Sequence, residues 1–150
     1  NEGEVALIIG ERARNIDEAD ALGVISHVVA LNDVTARDLQ RSDGQWTRAK
    51  GFDTFCAVGT PVALDELEVP LDELEVRTLL NGEVRQHGYV RDLAFSIPFL
   101  ISWISRAMTL EPGDIVSTGT PEGVGRLNPG DQVRVEIPGV GSIENPVVGG

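Results

Sequence analysis

The apolar residues at the start of the chain fall into two short runs, residues 4–9 and 24–30. The first run contains nothing polar beyond its opening glutamate and predicts a buried strand, and the second is rich in β-branched residues and predicts another strand. Residues 17–22 between them predict a helical turn that ends at Gly23. Short runs of this kind favour a strand-rich domain with tight connections.

The polar region that follows is expected to be mostly irregular. Residues 35–40 predict a helical turn entered from Asp33, and residues 41–49 predict a polar loop. The single cysteine, Cys56, excludes an intrachain disulfide. Because it lies in an apolar stretch, we expect a packed small side chain rather than a nucleophile.

The middle of the chain carries a hairpin signal and a helix signal. The pair Asn81-Gly82 lies between apolar runs and favours a type I′ turn, in which both central residues need positive φ. Ser96 can cap a helix over residues 97–108, with Pro98 in its first turn, where the missing N–H costs nothing. The apolar residues expected on one face of this helix are Ile97, Leu100, Ile101, Ile104 and Met108.

The last third of the chain is again rich in strand signals. Residues 115–118 predict a strand that leads into a Gly-rich loop at 119–125, and residues 132–137 and 142–148 predict an antiparallel pair. Strands outnumber helices over the whole chain and do not alternate with them. The pattern therefore predicts an α+β fold rather than a βαβ fold.

Size and charge narrow the classes of function. The chain has 150 residues, 41% of them hydrophobic and 24% charged, which suits one globular domain over residues 1–150. No apolar run reaches the roughly 20 residues of a membrane helix, so no membrane partner is expected. A cytoplasmic location is expected for this chain. The net charge of −12 argues against nucleic acid as a partner, because nucleic-acid binders carry basic surface for phosphate.

Three carboxylates are candidates for holding a metal. Glu2 and Glu4 stand two residues apart where a strand begins, so they are expected on one face, where they repel each other unless a cation lies between them. Asp33 ends the second strand and can point into a cleft. Carboxylates without Cys or His suit a hard cation such as Mg²⁺. Spacing alone leaves two alternatives open: the glutamates can be solvated, and Asp33 can cap a helix.

Four segments resemble, in order along the chain, the signatures of the fumarylacetoacetate hydrolase family. They are residues 2–10 (EGEVALIIG), 32–40 (NDVTARDLQ), 49–55 (AKGFDTF) and 113–125 (GDIVSTGTPEGVG), and the closing stretch 130–146 is also similar. The resemblance implies a mixed, mostly antiparallel β-roll with a few short helices, commonly assembled as a homodimer. Known members hydrolyse C–C bonds in acylpyruvates and fumarylacetoacetate, isomerise hydroxylated diene diacids or decarboxylate oxaloacetate.

The same resemblance implies roles for individual residues. Glu2, Glu4 and Asp33 match the metal ligands, with Mg²⁺ as the expected ion and Mn²⁺ or Ca²⁺ as substitutes. The residues that match positions near the metal or substrate are Arg37, Gln40, Lys50 and Thr120. Lys50 and Arg37 are the expected catalytic residues, because Lys50 can place positive charge near an enolate and Arg37 can hold a substrate carboxylate.

The Gly-rich loop and the two histidines are the remaining candidates for a functional role. Thr120 can offer a hydroxyl to a carboxylate, but the loop lacks the Gly-Lys-Ser/Thr ending of a phosphate loop, so no nucleotide is expected. The family takes its water-activating His–Glu dyad from a lid, which the resemblance puts ahead of Asn1. His27, in an apolar strand, and His87, beside the hairpin, match no catalytic motif, and structural roles are expected for both. Hydrolysis by this chain is accordingly expected to be slow, since losing a general base costs about 10²–10⁴ in rate.

Three hypotheses for function follow from the sequence. The leading one is a Mg²⁺-dependent hydrolase of acylpyruvate-type diketo acids. The second is an isomerase or decarboxylase of 2-hydroxy-diene or 2-keto diacids on the same metal site. The third is a domain that binds metal and ligand without turnover.

Overall fold

The structure, a computed structural model that describes residues 1–149, is built mainly from strands. The strands are β1 (Gly3–Ile9), β2 (Ile25–Asp33), β3 (Cys56–Val58), β4 (Val62–Ala63), β5 (Glu75–Leu80), β6 (Glu83–Tyr89), β7 (Ile115–Ser117), β8 (Gln132–Ile137) and β9 (Gly141–Pro146). The helices are α1 (Arg37–Asp43), α2 (Thr47–Lys50) and α3 (Ile97–Ala107), with 3₁₀ turns at Glu18–Val24, Leu64–Glu66, Leu71–Glu73 and Val90–Asp92. None of the helices described over residues 1–149 has the length and apolar character needed to cross a membrane.

Two sheets form the body of the molecule. The first has the strand order β3-β2-β1-β7, with β4 also paired to β2, and the second has the order β6-β5-β8-β9. The strand pairings in both sheets are antiparallel. Strands β1 and β2 contact β5, β8 and β9, so the sheets pack against each other. The predicted α+β, mostly antiparallel β-roll with a few short helices is confirmed.

Strand β1 lies between β2 and β7 in the first sheet, and its alternate side chains pack into apolar clusters on both faces of that sheet. Val5, Leu7 and Ile9 point into the main core, whereas Ala6 belongs to a smaller apolar cluster on the opposite face. Glu4 has the same parity along the strand as Ala6. The carboxylate of Glu4 therefore lies on the face of the sheet that turns away from the main core.

The hairpin and the long helix form where the sequence predicts them. Asn81 (φ 53°) and Gly82 (φ 83°) connect β5 to β6, which confirms the type I′ turn. Ser96 caps α3 by accepting the N–H three residues further on at 3.3 Å. Ser102 and Ser105 share the buried face of α3 with the apolar residues, and their hydroxyls donate to backbone carbonyls at 2.8 Å.

The predicted polar loop over residues 41–49 is wrong. Helix α1 continues to Asp43, where Gly44 ends it in the left-handed region at φ 70°. Helix α2 then covers Thr47–Lys50, and Ala49 within it is fully buried. One small apolar residue in an otherwise polar stretch gives too weak a periodic signal to predict a four-residue helix. In the structure Ala49 is buried, and its carbonyl accepts the Ala36 N–H at 2.9 Å, which holds α2 beside the start of α1.

Two side chains are more exposed than the sequence predicts. Met108 follows the last residue of α3 in extended backbone, so it leaves the helical face and is 60% exposed. Cys56 is exposed rather than packed, because it begins β3, which lies at the edge of the first sheet. An edge strand has a neighbour on one side only, and an apolar sequence around a residue does not reveal this.

Candidate metal and substrate site

The pairing of β1 with β2 brings together the three predicted metal ligands, which are separated in the sequence. In the β1–β2 pair Glu4 lies opposite Leu31, and the Asp33 N–H donates to the Glu2 carbonyl at 2.8 Å. Asp33 is therefore the neighbour of Glu2 across the sheet, and Glu4 follows two residues along on the same face. One carboxylate oxygen of each residue lies within 4.8 Å of those of the other two. Asp33 does not cap α1, whose N-cap is Ala36.

Glu4 is the most enclosed of the three carboxylates, at 3% exposure. Its Oε2 accepts the N–H of Gly119 at 2.7 Å and the hydroxyl of Ser117. Burial raises the pKa of the Glu4 carboxyl above its ordinary value, and these two hydrogen bonds only partly offset that effect. The end of β7 and the start of the Gly-rich loop thus hold Glu4 in place.

Lys50, the only lysine in the sequence, binds the other two carboxylates. Its Nζ lies 2.8 Å from Glu2 Oε2 and also donates to Asp33 Oδ2. Burial alone would lower the pKa of Lys50, but the hydrogen bonds to Asp33 and Glu2 outweigh it and raise that pKa. Lys50 is consequently a charged group inside the site, and not a solvated surface amine, with 24% of its side chain exposed.

Arg37 binds the same glutamate from the other side. Its Nη2 lies 2.6 Å from Glu2 Oε1, and its Nη1 donates to Gln40 Oε1 at 2.9 Å. Burial alone would raise the pKa of Glu2, yet the hydrogen bonds from Lys50 and Arg37 outweigh it and lower that pKa. Arg37 and Gln40 are both in α1, three residues apart and hence on one helical face.

The donor set fits a hard divalent cation. Glu2, Glu4 and Asp33 offer carboxylate oxygens only, the ligands that Mg²⁺ and Ca²⁺ prefer. The separation of up to 4.8 Å between ligand oxygens is close to twice a metal–oxygen bond of about 2.0–2.6 Å. The ammonium of Lys50 already lies between Glu2 and Asp33, so these oxygens converge on a positive charge. Three negative charges here face the two positive charges of Lys50 and Arg37.

Thr120 lies at this site, but its hydroxyl is already engaged. It donates to the Gly3 carbonyl at 2.8 Å and accepts from Gln86 Nε2 at 2.8 Å. A hydroxyl has a single proton, so in this arrangement it has none to donate to a substrate carboxylate. The role of Thr120 in substrate binding stays a prediction, and in this arrangement its hydroxyl can contribute only as a hydrogen-bond acceptor.

Gln86 is a residue of this region that sequence reasoning missed. It is 1% exposed and projects from β6, in the second sheet, towards Gly3 in the first. Neighbouring residues of β6 are mostly polar, so alternation gave no hint that one of them is buried. A glutamine among polar strand residues is detectable only once the opposing backbone is known.

Neither histidine lies close to the three carboxylates. His27 lies six residues before Asp33 on β2, which at about 3.3 Å per residue puts roughly 20 Å between them. His87 follows the inward-facing Gln86 on β6, so it points to the opposite side of its sheet, where its Nε2 lies 2.7 Å from Glu75 Oε1. These positions agree with the structural roles expected for both histidines.

A cavity of about 790 Å³ adjoins Arg37. Its lining is mainly apolar, but three arginines contribute to it: Arg37, Arg41 and Arg126. Among residues 1–149, Arg41 and Arg126 make no ion pair with an acidic side chain. The lining also includes one acidic residue, Asp38, which the arginines outnumber, so in a chain of net charge −12 the cavity is a local positive region beside the acidic cluster.

Comparison with models of known protein families shows to which family the chain is related. The family model described as Fumarylacetoacetate (FAA) hydrolase C-terminal matches residues 1–148. The chain belongs to the fumarylacetoacetate hydrolase family. The resemblance drawn from the four sequence segments is thereby confirmed.

Relatives in the family carry several activities in their names. The crystal structure of 5-carboxymethyl-2-hydroxymuconate delta-isomerase from Mycobacterium smegmatis is 45% identical and superposes with a TM-score of 0.92 over 98% of this chain. Fumarylacetoacetate hydrolase from Exiguobacterium antarcticum is 38% identical, with a TM-score of 0.94 over 99% of the chain. The oxaloacetate tautomerase YisK of Bacillus subtilis is 41% identical over 97% of the chain. Members of the fumarylacetoacetate hydrolase family are thus enzymes.

The chain spans only part of each relative. It covers 57% of the isomerase, 56% of the hydrolase and 51% of the tautomerase. The matched part contains the strands and helices that bring Glu2, Glu4, Asp33, Arg37 and Lys50 together.

Proposed function

We propose that this chain is the metal-binding catalytic part of a Mg²⁺-dependent enzyme that acts on a 2-keto or 2-enol acid. The observation that carries the proposal is the meeting of three carboxylates with Lys50 and Arg37 at one point. A 2-keto acid presents a carboxylate oxygen and a keto oxygen, which together can chelate an ion that keeps coordination positions for substrate. Mn²⁺ and Ca²⁺ have oxygen preferences similar enough to replace Mg²⁺ in binding.

The side chains supply charge and orientation around such a substrate. Bound Mg²⁺ would act as a Lewis acid on the keto oxygen. Lys50 stays protonated, because Asp33 and Glu2 raise its pKa, and its charge lowers the energy of an enolate oxygen beside it. Arg37 uses one N–H on Glu2 and one on Gln40, which leaves three of its five N–H groups to bind a substrate carboxylate.

Keto–enol proton transfer is the reaction that these residues support most directly. An isomerase or a tautomerase has to stabilise an enolate and to move one proton between carbon atoms or between carbon and oxygen, and solvent water can take up and return that proton. Unlike hydrolysis, this reaction does not need a base that activates a water molecule for attack on a carbonyl. The isomerase and the tautomerase among the relatives, at 45% and 41% identity, are also more similar to this chain than the hydrolase at 38%. We infer an isomerase or tautomerase activity on 2-keto diacids, with decarboxylation as a related outcome of the same enolate.

Hydrolysis of a C–C bond in an acylpyruvate is the second candidate. The observation in its favour is the cavity of about 790 Å³ beside Arg37, which can take an acyl group joined to the keto acid. An enolate is the leaving group in that cleavage, so the same charges would stabilise it. Hydrolysis additionally needs a base to activate water.

One experiment separates these reactions. The chain is incubated with the enol form of oxaloacetate, a hydroxymuconate-type diene, acetylpyruvate and fumarylpyruvate, each with Mg²⁺ or with EDTA, and products are followed by NMR. Tautomer or double-bond isomers that form only with Mg²⁺ support the first candidate, and pyruvate released from an acylpyruvate supports the second. Mg²⁺ binding without conversion of any compound would reduce the chain to a ligand-binding domain.

The metal site is tested separately by calorimetry. We expect Glu4→Gln and Asp33→Asn to weaken Mg²⁺ binding by about 100-fold or more, since losing even a residue that orients a ligand costs 10–100-fold. Glu68→Gln, which removes an exposed carboxylate, is the control and should bind Mg²⁺ like the unaltered chain. Unchanged affinity in Glu4→Gln and Asp33→Asn would refute the proposed metal site.

A further inference from the structure

Strand β1 loses a neighbouring strand at Gly3. Strand β7 pairs with β1 only from Ala6 to Ile8, so among the described residues 1–149 no strand pairs with Gly3 on that edge. The N–H and C=O of a strand residue point to the same edge of the sheet, and at Gly3 both point away from β2. Side chains take over the pairing: the Gly3 N–H donates to Gln86 Oε1 at 3.1 Å, and the Gly3 C=O accepts from Thr120 at 2.8 Å.

Gln86 links this backbone to the Gly-rich loop. Its Nε2 donates to the Thr120 hydroxyl and to the Pro121 carbonyl, both at 2.8 Å. The amide thus binds Gly3, Thr120 and Pro121 at once while being 1% exposed. A buried amide with its oxygen and both directions of its nitrogen used has one orientation, because rotating it would place donor against donor.

The contact between the sheets at this point is unusually close. A Cβ built on Gly3 would lie 1.9 Å from Thr78 Oγ1, so no larger residue fits between Glu2 and Glu4 without displacing β5. Thr78 is the cross-strand partner of Gln86, and it is fully buried. Its hydroxyl has no hydrogen-bond partner among residues 1–149, so Thr78 fills space beside Gly3 but does not bind it.

We propose that Gln86 is a positioning residue of the metal site: its amide fixes Gly3, and with it the carboxylates of Glu2 and Glu4, in register with the loop that holds Glu4. Gly3 lies between the two glutamates, so a shift of its backbone moves both carboxylates relative to Asp33. Gly119 and Ser117 hold Glu4 from the same loop that Gln86 ties down through Thr120 and Pro121. The inference rests on the proposed function, because it concerns the affinity of that site for its cation.

The test is Gln86→Met, which keeps the length of the side chain and removes its hydrogen bonds. We expect the Kd for Mg²⁺, measured by calorimetry on the whole chain, to rise about 10–100-fold, as for other residues that orient metal ligands. Hydrogen exchange of the Gly3 amide, followed by NMR, should become faster. Should Gln86→Met fail to fold, Gln86→Asn keeps an amide one methylene shorter and is expected to weaken Mg²⁺ binding in the same direction.

Two controls separate positioning from a general loss of stability. Gln132→Met makes the same substitution at an exposed glutamine of β8 and should leave the Kd for Mg²⁺ within about twofold. Ile9→Ala lowers the stability of β1 at its other end and should leave the Kd unchanged. A Gln86 variant that binds Mg²⁺ like the unaltered chain would overturn the inference. An unaltered chain that binds no Mg²⁺ would overturn the proposed function itself.

Discussion

The two ends of β1 are held by different kinds of group. At one end Ile9 exchanges hydrogen bonds with backbone alone, donating to the Asp114 carbonyl at 2.9 Å and accepting the Gly113 N–H at 2.8 Å. At the other end Gly3 binds the side chains of Gln86 and Thr120. Backbone groups are present in any sequence, whereas a side-chain amide and hydroxyl at fixed positions are not.

Because of this difference, we expect the Ile9 end of β1 to contribute mainly to stability and the Gly3 end mainly to function. The Ile9 end needs only apolar packing and a neighbouring backbone to exchange hydrogen bonds with, so many sequences can form it. The Gly3 end needs specific residues, and it is the end at which the carboxylates lie. We therefore expect substitutions near Ile9 to change the free energy of unfolding and substitutions near Gly3 to change binding and turnover.

The largest effect is expected at Lys50. Lys50→Met should lower kcat about 10²–10³-fold on whichever 2-keto acid is turned over, because it removes a charge next to the developing enolate. The midpoint of thermal unfolding in Mg²⁺ should stay close to that of the unaltered chain. Arg48→Met, which removes an exposed cation of the same helix, is the control for charge. Full kcat in Lys50→Met would show that Lys50 has only a structural role.

The opposite pattern is expected at Ile9, which is 1% exposed. Ile9→Ala should lower the free energy of unfolding by about 3 kcal/mol, since it leaves a cavity in the main core. Urea denaturation measures this, and calorimetry should show the same Kd for Mg²⁺ as in the unaltered chain. A weakened Kd together with a stable fold would break the proposed division between the two ends.

A smaller effect is expected at the arginines of the cavity. Arg41→Ala or Arg126→Ala should raise KM about 10-fold for a 2-keto diacid and leave KM for a monoacid such as acetylpyruvate unchanged, because each loses a charged hydrogen bond to a second carboxylate. Arg106→Ala is the matched control, since Arg106 lies in α3 and does not line the cavity. Equal changes for diacid and monoacid would exclude recognition of a second carboxylate there.

The smallest effect is expected on stability at acid pH. It concerns Asp131, which binds Asn81 in the turn between β5 and β6. Hydrogen bonds from Asn81, at 2.9 Å, and from the Asn128 N–H, at 2.7 Å, lower the pKa of Asp131. A carboxyl whose pKa is lower in the folded state stabilises the fold above its ordinary pKa, and this contribution is lost as pH falls through the lowered value. Asp131→Asn should therefore lose less stability than the unaltered chain between neutral pH and about pH 3.

The measurement for Asp131 is urea denaturation at both pH values. Asp65→Asn, at an exposed aspartate, serves as the control. If Asp131→Asn and the unaltered chain lose the same stability on acidification, the hydrogen bonds of Asp131 do not matter for folding.

Local signals predicted the elements that depend on neighbouring residues. The turn at Asn81-Gly82, the cap at Ser96 and the strand pair β8–β9 each follow from turn chemistry, capping or alternation within a few residues. Helix α2 was missed because four residues carry almost no periodicity. The exposure of Cys56 was missed because the edge position of a strand is a property of the whole sheet.

The candidate site depended on information that local patterns do not contain. Spacing put Glu2 and Glu4 on one face, but only the register of β1 against β2 brings Asp33 beside them. The resemblance to a family predicted that meeting without explaining it. Gln86 matched neither a pattern nor a quoted motif, because its importance comes from the Gly3 backbone that it faces across two sheets.

Lys50, as the only lysine in the sequence, makes the site chemically addressable. Reagents that modify amines have one side-chain target in these 150 residues, and that target lies against Glu2 and Asp33. Reductive methylation with ¹³C-formaldehyde would therefore add a single side-chain NMR probe at the place where cation and substrate are expected to meet. Coupling the protein to an amine-reactive support through this side chain would, for the same reason, block the site. Cys56 is no alternative, because it is the cross-strand partner of Asp33, so attachment through an added tag is the better route.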